Sequence, residues 1–138
     1  MKTIGTQANQ TKNLVLKEFI ALDKLKRASN TPQTLISLIQ GVFPSLQFRQ
    51  IHKKYKCLNA SIEIIKAKGG DWIIKTWSNK FNVPSGGVFT VIKKLHNLQP
   101  KGNQDDFLRM CEIAANAANL DLSLYTKTGN YKSLKQTT

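Results

Sequence analysis

Acidic residues are scarce in this sequence. Its 138 residues include eight Asp and Glu against 21 Lys and Arg, which gives a formal net charge of +13 and an isoelectric point near 10.0. Few small domains carry so large an excess, because like charges repel one another in the compact state. The excess attracts polyanions, since each neutralised phosphate releases a condensed counterion. Nucleic acid is therefore the leading class of partner and an anionic membrane surface the second, while an effect on solubility alone is the alternative.

Cysteines and long apolar runs are also scarce. Cys57 and Cys111 show no CxxC or Cys/His spacing, which favours two buried thiols in a reducing compartment, although a single disulfide fits the count too. No apolar run approaches the roughly 20 residues of a membrane span, and the opening MKTIGTQANQ lacks the apolar stretch of a secretory signal. We expect a cytoplasmic protein with no membrane partner, no metal and no cofactor.

Apolar residues recur at helical spacing through the first half of the chain. The spacing predicts a helix over about 13–27. Thr31 is a good N-cap and Pro32 a good first residue for a short buried helix that follows. A long helix is predicted over about 45–68, because the glycines after it are typical of a helix end. Another helix is predicted over about 71–81.

The second half continues the same pattern. A helix is predicted over about 88–98, closed by Pro100, and Asn103 with two following acids marks the start of the next one. The segment LDLSLY, at 120–125, alternates like a strand, but a single short strand has no partner. We therefore predict an all-α fold, a bundle of about five or six helices. It forms one domain over 1–138, with flexible ends at 1–10 and 127–138.

The stretch FRQIHKKYKCL, at 48–58, combines cations with apolar side chains. On a helical projection of about 100° per residue, one arc collects Phe48, Ile51, Tyr55, Leu58, Ile62 and Ile65, which is the width of a core stripe. Lys56, Arg49 and Lys53 fall at about 80°, 100° and 140°. These three cations form a ridge with no acid in the segment before Glu63, and such a ridge favours an external anion over a solvated face.

The ridge residues Arg49, Lys53 and Lys56 are the first candidates for phosphate contact. Lys54 projects elsewhere on the predicted helix. The second set of candidates lies off the apolar sides of later predicted helices and consists of Lys75, Lys80, Lys93 and Lys94. Contact with the phosphate backbone, independent of sequence, needs no recognition helix, and we identify none.

Two further features have both a structural and a functional interpretation. Trp72 and Trp77 project from different sides of a helix, so one is expected in the core and one exposed. An exposed tryptophan near Lys75 or Lys80 suits the stacking of a base from a single strand. The glycines of VPSGGVF, at 83–89, leave backbone N–H groups for a phosphate, although a tight interhelical turn explains them more simply.

Catalytic motifs are missing from the sequence. It has no HExxH, GxSxG, P-loop or zinc signature, and nothing in it brings His52 and His96 together. We predict a protein that is not an enzyme. The alternatives are a small basic nuclease, similar to a toxin, that uses His52 or His96 as general acid or base, and an adaptor or inhibitor that binds an acidic protein.

The chain resembles the small subunit of CRISPR surveillance complexes of the Cascade type. The resemblance is carried by FRQIHKKYKCL, by the lysine-rich helices after KAKGGDW and in TVIKKLHNL, and by the basic KTGNYKSLKQ near the end. It implies a non-catalytic subunit, present in several copies among other subunits of an antiviral complex. That subunit holds displaced single-stranded DNA or the RNA–DNA duplex, while guide pairing supplies sequence specificity.

Overall fold

The structure is a computed structural model that describes residues 20–77 and 80–125. Within these ranges the chain forms two helices, a four-stranded antiparallel sheet and two further helices, and a short 3-10 helix follows. The elements are α1 (Leu22–Ser29), α2 (Pro32–Val42), β1 (Phe48–Ile51), β2 (Lys54–Cys57), β3 (Ile62–Lys66), β4 (Trp72–Thr76), α3 (Val88–Leu95), α4 (Gln104–Ala117) and the 3-10 helix Leu122–Leu124.

The predicted all-α bundle of five or six helices is wrong, because the middle of the chain is a sheet. Strands β1, β2 and β3 occupy the long helix predicted over 45–68, and β4 occupies the helix predicted over 71–81. The strands hold only four or five residues each. Two-residue alternation is hard to detect over so short a span, and the turns between strands happen to preserve an apolar spacing that mimics a helix.

The turns of the sheet carry weak sequence signals. His52 and Lys53 connect β1 to β2, and His52 has a φ of 56°, a left-handed conformation for which glycine or asparagine is the usual signal. Between β3 and β4, the Ala67 N–H donates to Asp71 O at 2.7 Å, and Gly70 adopts a φ of 97°. The double glycine that predicted a helix end therefore forms a hairpin loop.

Two of the helices outside the sheet, α2 and α4, begin where the sequence predicts. The Thr31 hydroxyl accepts a hydrogen bond from the Thr34 N–H at 3.1 Å and caps α2, with Pro32 as its first residue. The Asn103 side chain accepts from the Asp106 N–H at 3.1 Å and caps α4. Helix α1 begins at Leu22, so residues 20 and 21, predicted as helical, are not, and the part of the prediction before residue 20 lies outside the described residues. The predicted flexible ends, 1–10 and 127–138, lie outside them as well.

The helices form a layer on one face of the sheet, which we call the inner face. Helix α2 contacts β3 and β4 and also packs against α3 and α4, while α1 packs against α3 and α4. The sheet contributes four side chains to the core, each at most 3% exposed: Cys57, Ile62, Ile64 and Ile74. Both cysteines are buried and free, which confirms the predicted thiols.

The free edge of β4 is covered by two groups from the helical part of the chain. The Asn30 side chain accepts from the Trp72 N–H at 2.7 Å and donates to Trp72 O at 3.0 Å. Gly86 forms a two-way backbone bridge with Ile74, at 2.8 and 2.9 Å. The segment before α3 therefore lies against the sheet edge, and α1 is tied to the same edge.

Candidate nucleic-acid interface

A row of charged side chains crosses the sheet on its outer face, opposite the helical layer. Arg49 on β1 is the register partner of Lys56 on β2, which is in turn the partner of Glu63 on β3. Glu63 is also the partner of Lys75 on β4. Side chains alternate between the two faces of a strand, and these four positions alternate with the buried inner-face residues. We call Arg49, Lys56 and Lys75, all of them exposed, the cationic row.

One carboxylate lies within this row, and it already has a partner. Glu63 Oε2 lies 3.0 Å from Lys54 Nζ, and the side chains are 15% and 43% exposed, respectively. Of the side chains that β1–β4 place on the outer face, Glu63 alone is acidic. The charges of Lys54 and Glu63 cancel each other, which leaves the three cations of the row facing outward. Arg49 and Lys56 stand directly opposite one another, an arrangement of like charges that destabilises a sheet.

An apolar pair borders the cationic row toward one end of the strands. The Leu58 N–H donates to Gln47 O at 2.8 Å and the Trp77 N–H donates to Ser61 O at 3.0 Å, so the ladders continue past β2 and β4. Alternation places Leu58 and Trp77 on the outer face, where they are 55% and 50% exposed. Lys75 Nζ lies 5.8 Å from the centroid of the Trp77 ring. We call Leu58 and Trp77 the apolar pair.

An open groove of about 770 Å³ lies at the opposite end of the sheet, around the β1–β2 turn. Its basic side chains come from the turn and the adjoining strands and are His52, Lys53, Lys54 and Lys66. Tyr55 and Trp72 also line it, with ring centroids 6.1 Å apart in an edge-to-face contact. By alternation Tyr55, Lys66 and Trp72 belong to the inner face and Lys54 to the outer one, so the groove lies around the end of the sheet and is separate from the cationic row.

The structure brings together part of the predicted phosphate-contact set. Arg49 and Lys56 are neighbours, as predicted, but across two strands rather than along a helix. Lys53 is exposed in the adjoining turn. Lys75, from the second predicted set, completes the row on β4, and Lys54, which the helical projection turned away, lies on the same face.

The other predicted cations lie elsewhere. Lys93 and Lys94 are in the last turn of α3, which packs against the other helices. Lys80 is exposed after β4, with its Nζ 5.5 Å from the centroid of the Phe81 ring. Lys93 and Lys94 therefore belong to the helical layer, on the other side of the sheet from the cationic row.

The two tryptophans divide between the core side and the surface, as predicted. Trp72 is partly buried against the core, and Trp77 is half exposed. Leu58 was predicted as part of a core stripe, and its exposure of 55% contradicts that. The helical spacing placed it with Tyr55, whereas the two-residue period of the sheet sends Leu58 to the outer face and Tyr55 to the inner one.

In the loop at 83–89, one of the backbone N–H groups predicted as a phosphate donor is instead hydrogen-bonded within the fold. The Gly86 N–H donates to Ile74 O at 2.9 Å, which joins the loop to the edge of β4. Gly86 has a φ of 121°, and a Cβ there would lie 3.0 Å from Thr90 Cγ2. Conformation and close approach explain this glycine structurally, which favours the turn interpretation over a phosphate site.

The histidines lie in different parts of the fold. His52 is exposed in the β1–β2 turn, whereas His96 follows α3 and lines a separate pocket with Leu38 and Ile113. Among residues 20–77 and 80–125, no group of three His, Cys, Asp or Glu is placed to hold a metal ion. Burial, with a smaller effect of Glu112, raises the pKa of the Cys111 thiol to about 12, so this thiol stays protonated and is a poor nucleophile.

No family model, curated protein or solved structure matches this chain. Across the described ranges, no helix is both long enough and apolar enough to cross a membrane. Two of the segments that carry the resemblance to the Cascade small subunit, FRQIHKKYKCL and the stretch after KAKGGDW, form strands of the sheet rather than helices.

Proposed function

We propose that this protein binds nucleic acid without catalysing a reaction on it, and that the outer face of its sheet contacts the phosphate backbone. The observation that carries the proposal is the cationic row, with one cation on each of β1, β2 and β4 and a paired acid between them. A row of like charges costs stability in the free protein. Bound phosphates offset this destabilisation, because they neutralise the cations and condensed counterions are released from the nucleic acid.

The row is also well placed for a backbone. Neighbouring strands are about 4.8 Å apart, so the row extends about 14 Å from Arg49 to Lys75. A phosphodiester chain that crosses the strands can therefore meet several cations in succession. Lys53, in the turn beside β1, extends the contact. The partly buried carboxylate of Glu63 stays paired with Lys54, so it repels the ligand less than a free acid in that position.

The proposal is tested with two variants of equal charge. Arg49→Gln, Lys56→Gln and Lys75→Gln together remove the cationic row, whereas Lys93→Gln, Lys94→Gln and Lys101→Gln remove three cations outside the sheet. Fluorescence anisotropy with labelled RNA and DNA, single-stranded and duplex, gives affinity as a function of salt. We expect the row variant to flatten the slope of log K against log salt by about 2 to 3, the value for three lost phosphate contacts.

The control variant lowers the net charge by the same amount, so we expect it to weaken binding less and to keep most of the slope. Equal losses in the two variants would show that net charge alone, rather than the outer face, attracts the ligand. Failure of the unaltered protein to bind any of the four nucleic acids at low salt would refute the proposal. An acidic protein would then be the partner to test for the same row, by recovery from a nuclease-treated extract.

A further inference from the structure

We propose, on the basis of the proposed function, that the ligand is a single strand and that one of its bases stacks on Trp77. Half of the Trp77 side chain is exposed on the same face as the cationic row. Stacking on an aromatic ring is the usual way in which proteins hold unpaired bases, since every base has a flat face to offer. A base within a duplex is stacked on both sides and offers only its edges.

The spacing of the outer face suits a single strand. The apolar pair lies two residues along the strands from the cationic row, which corresponds to about 7 Å. A nucleotide has its phosphate and its base on opposite sides of the sugar, so one nucleotide can reach from Lys75 to Trp77. The strand would run across the sheet, with phosphates along the cationic row and bases toward the apolar pair. Leu58 offers a second base an apolar contact.

Lys75 links the two parts of this surface. Its Nζ lies 5.8 Å from the centroid of the Trp77 ring, within the range of a cation–π contact. The contact limits the orientations of both side chains before a ligand arrives, which lowers the entropy lost on binding. The same ammonium group is close enough to the ring to neutralise the phosphate of a nucleotide whose base lies there.

The width of the sheet disfavours a duplex. Its four strands measure about 14 Å from β1 to β4, whereas the major groove of B-form DNA is about 12 Å wide and admits a helix or a two-stranded ribbon. A duplex could therefore contact this face only through its phosphates. In that arrangement Leu58 and Trp77 would face the charged backbone, and their exposed apolar surfaces would make no favourable contact with the ligand.

The test compares Trp77→Ala with the unaltered protein on oligo(dT) and oligo(U) of about 12 nucleotides and on a DNA duplex of the same length. We expect tighter binding to the single strands than to the duplex. Trp77→Ala should weaken single-strand binding by about 5- to 160-fold, the equivalent of one stacked base, and leave duplex binding and the salt slope unchanged. The arms with DNA and RNA distinguish the two sources of single strand.

Three companion variants keep the test decisive if Trp77→Ala affects folding. Trp77→Phe retains a stacking ring and should retain most of the affinity, and Val42→Ala trims an exposed apolar side chain of α2 as a matched control. Trp72→Phe leaves Trp77 as the one tryptophan, so its fluorescence should be quenched by single strands. Absence of quenching, equal affinity for the duplex, or an unchanged affinity of Trp77→Ala would overturn the inference. The cationic-row variants would still test the proposed function separately.

Discussion

At the scale of the residue, Glu63 controls how much positive charge the outer face presents. It lies between Lys56 and Lys75 in register and forms its ion pair with Lys54, one pleat away. The carboxylate therefore neutralises part of the field that attracts phosphate. It also limits the repulsion among the lysines in the free protein, so its effects on stability and on binding have opposite signs.

Glu63→Gln should strengthen nucleic-acid binding and steepen its salt dependence. The change removes one negative charge from the face and frees Lys54 to contact a phosphate, so we expect the slope of log K against log salt to grow by about 1. The lost ion pair should lower the free energy of unfolding by about 1 kcal/mol or less. Anisotropy titrations at several salt concentrations and urea denaturation measure the two effects.

Glu112→Gln is the matched control, since Glu112 is exposed on α4 and the substitution is the same. It raises the net charge equally but lies in the helical layer. A gain in affinity of the same size in both variants would show that the position of Glu63 within the row is unimportant. A loss of affinity in Glu63→Gln would contradict the described role of its carboxylate.

The buried thiols give a second prediction for single residues. Cys57 is 3% exposed and Cys111 is fully buried, and the pKa of Cys111 is raised to about 12 from an ordinary 9.0. Because the thiolate is the reactive form, Cys111 should resist a disulfide reagent at pH 8 in the native protein and react once urea unfolds the chain. Above pH 9.0 the unfolded thiol ionises while the native one does not, so stability should fall as pH rises.

Absorbance of the released thiolate follows the labelling with time, and Cys57→Ala isolates the signal of Cys111. For the pH effect, Cys111→Ala should show a shallower loss of stability between pH 9.0 and about 12 than the unaltered protein. Fast labelling of Cys111 under native conditions would contradict its burial.

At the scale of the element, the edge of β4 depends on a side chain from outside the sheet. Asn30 follows α1 and makes two hydrogen bonds with the backbone of Trp72. Asn30→Ala leaves the Trp72 N–H and C=O without these partners, which should lower the free energy of unfolding by about 1 to 3 kcal/mol. Urea denaturation measures the loss.

Asn59→Ala gives an informative comparison, because Asn59 also bonds to backbone, at Ser45 O and the Gln47 N–H, but in an exposed loop. Water can replace those partners, so we expect a smaller loss. If Asn30→Ala is no more destabilising than Asn59→Ala, the tie between α1 and the sheet contributes little.

At the scale of the whole molecule, the two faces of the sheet have different roles. The inner face is covered by helices and holds part of the core, and the outer face presents the cationic row and the apolar pair. Cations in the helical layer, such as Lys93 and Lys94, raise the overall potential without joining the row. In the proposed function, the net charge of +13 attracts a polyanion to the molecule in general, and the geometry of the sheet decides where it is held.

Some parts of this fold could be predicted from the sequence and others could not, depending on the kind of interaction that forms them. Thr31 and Asn103 were recognised as caps because a capping side chain bonds to backbone only three residues away. The sheet was missed although its strands follow one another in sequence, because each holds only four or five residues, too few for a two-residue period to be recognised. The helical projection predicted that Arg49 and Lys56 are neighbours, and they are, but on a sheet. Residues seven apart are neighbours on a helix and also across this two-residue turn.

The sequence by itself determined the charge and the caps of α2 and α4, since each depends on composition or on contacts within a turn of chain. Only the tertiary structure decided that Lys75 joins Arg49 and Lys56, that Glu63 is paired with Lys54, and that Leu58 and Trp77 face outward. These relations arise from strand pairing. A strand acquires its neighbours, and its two faces acquire their environments, only when separate parts of the chain meet.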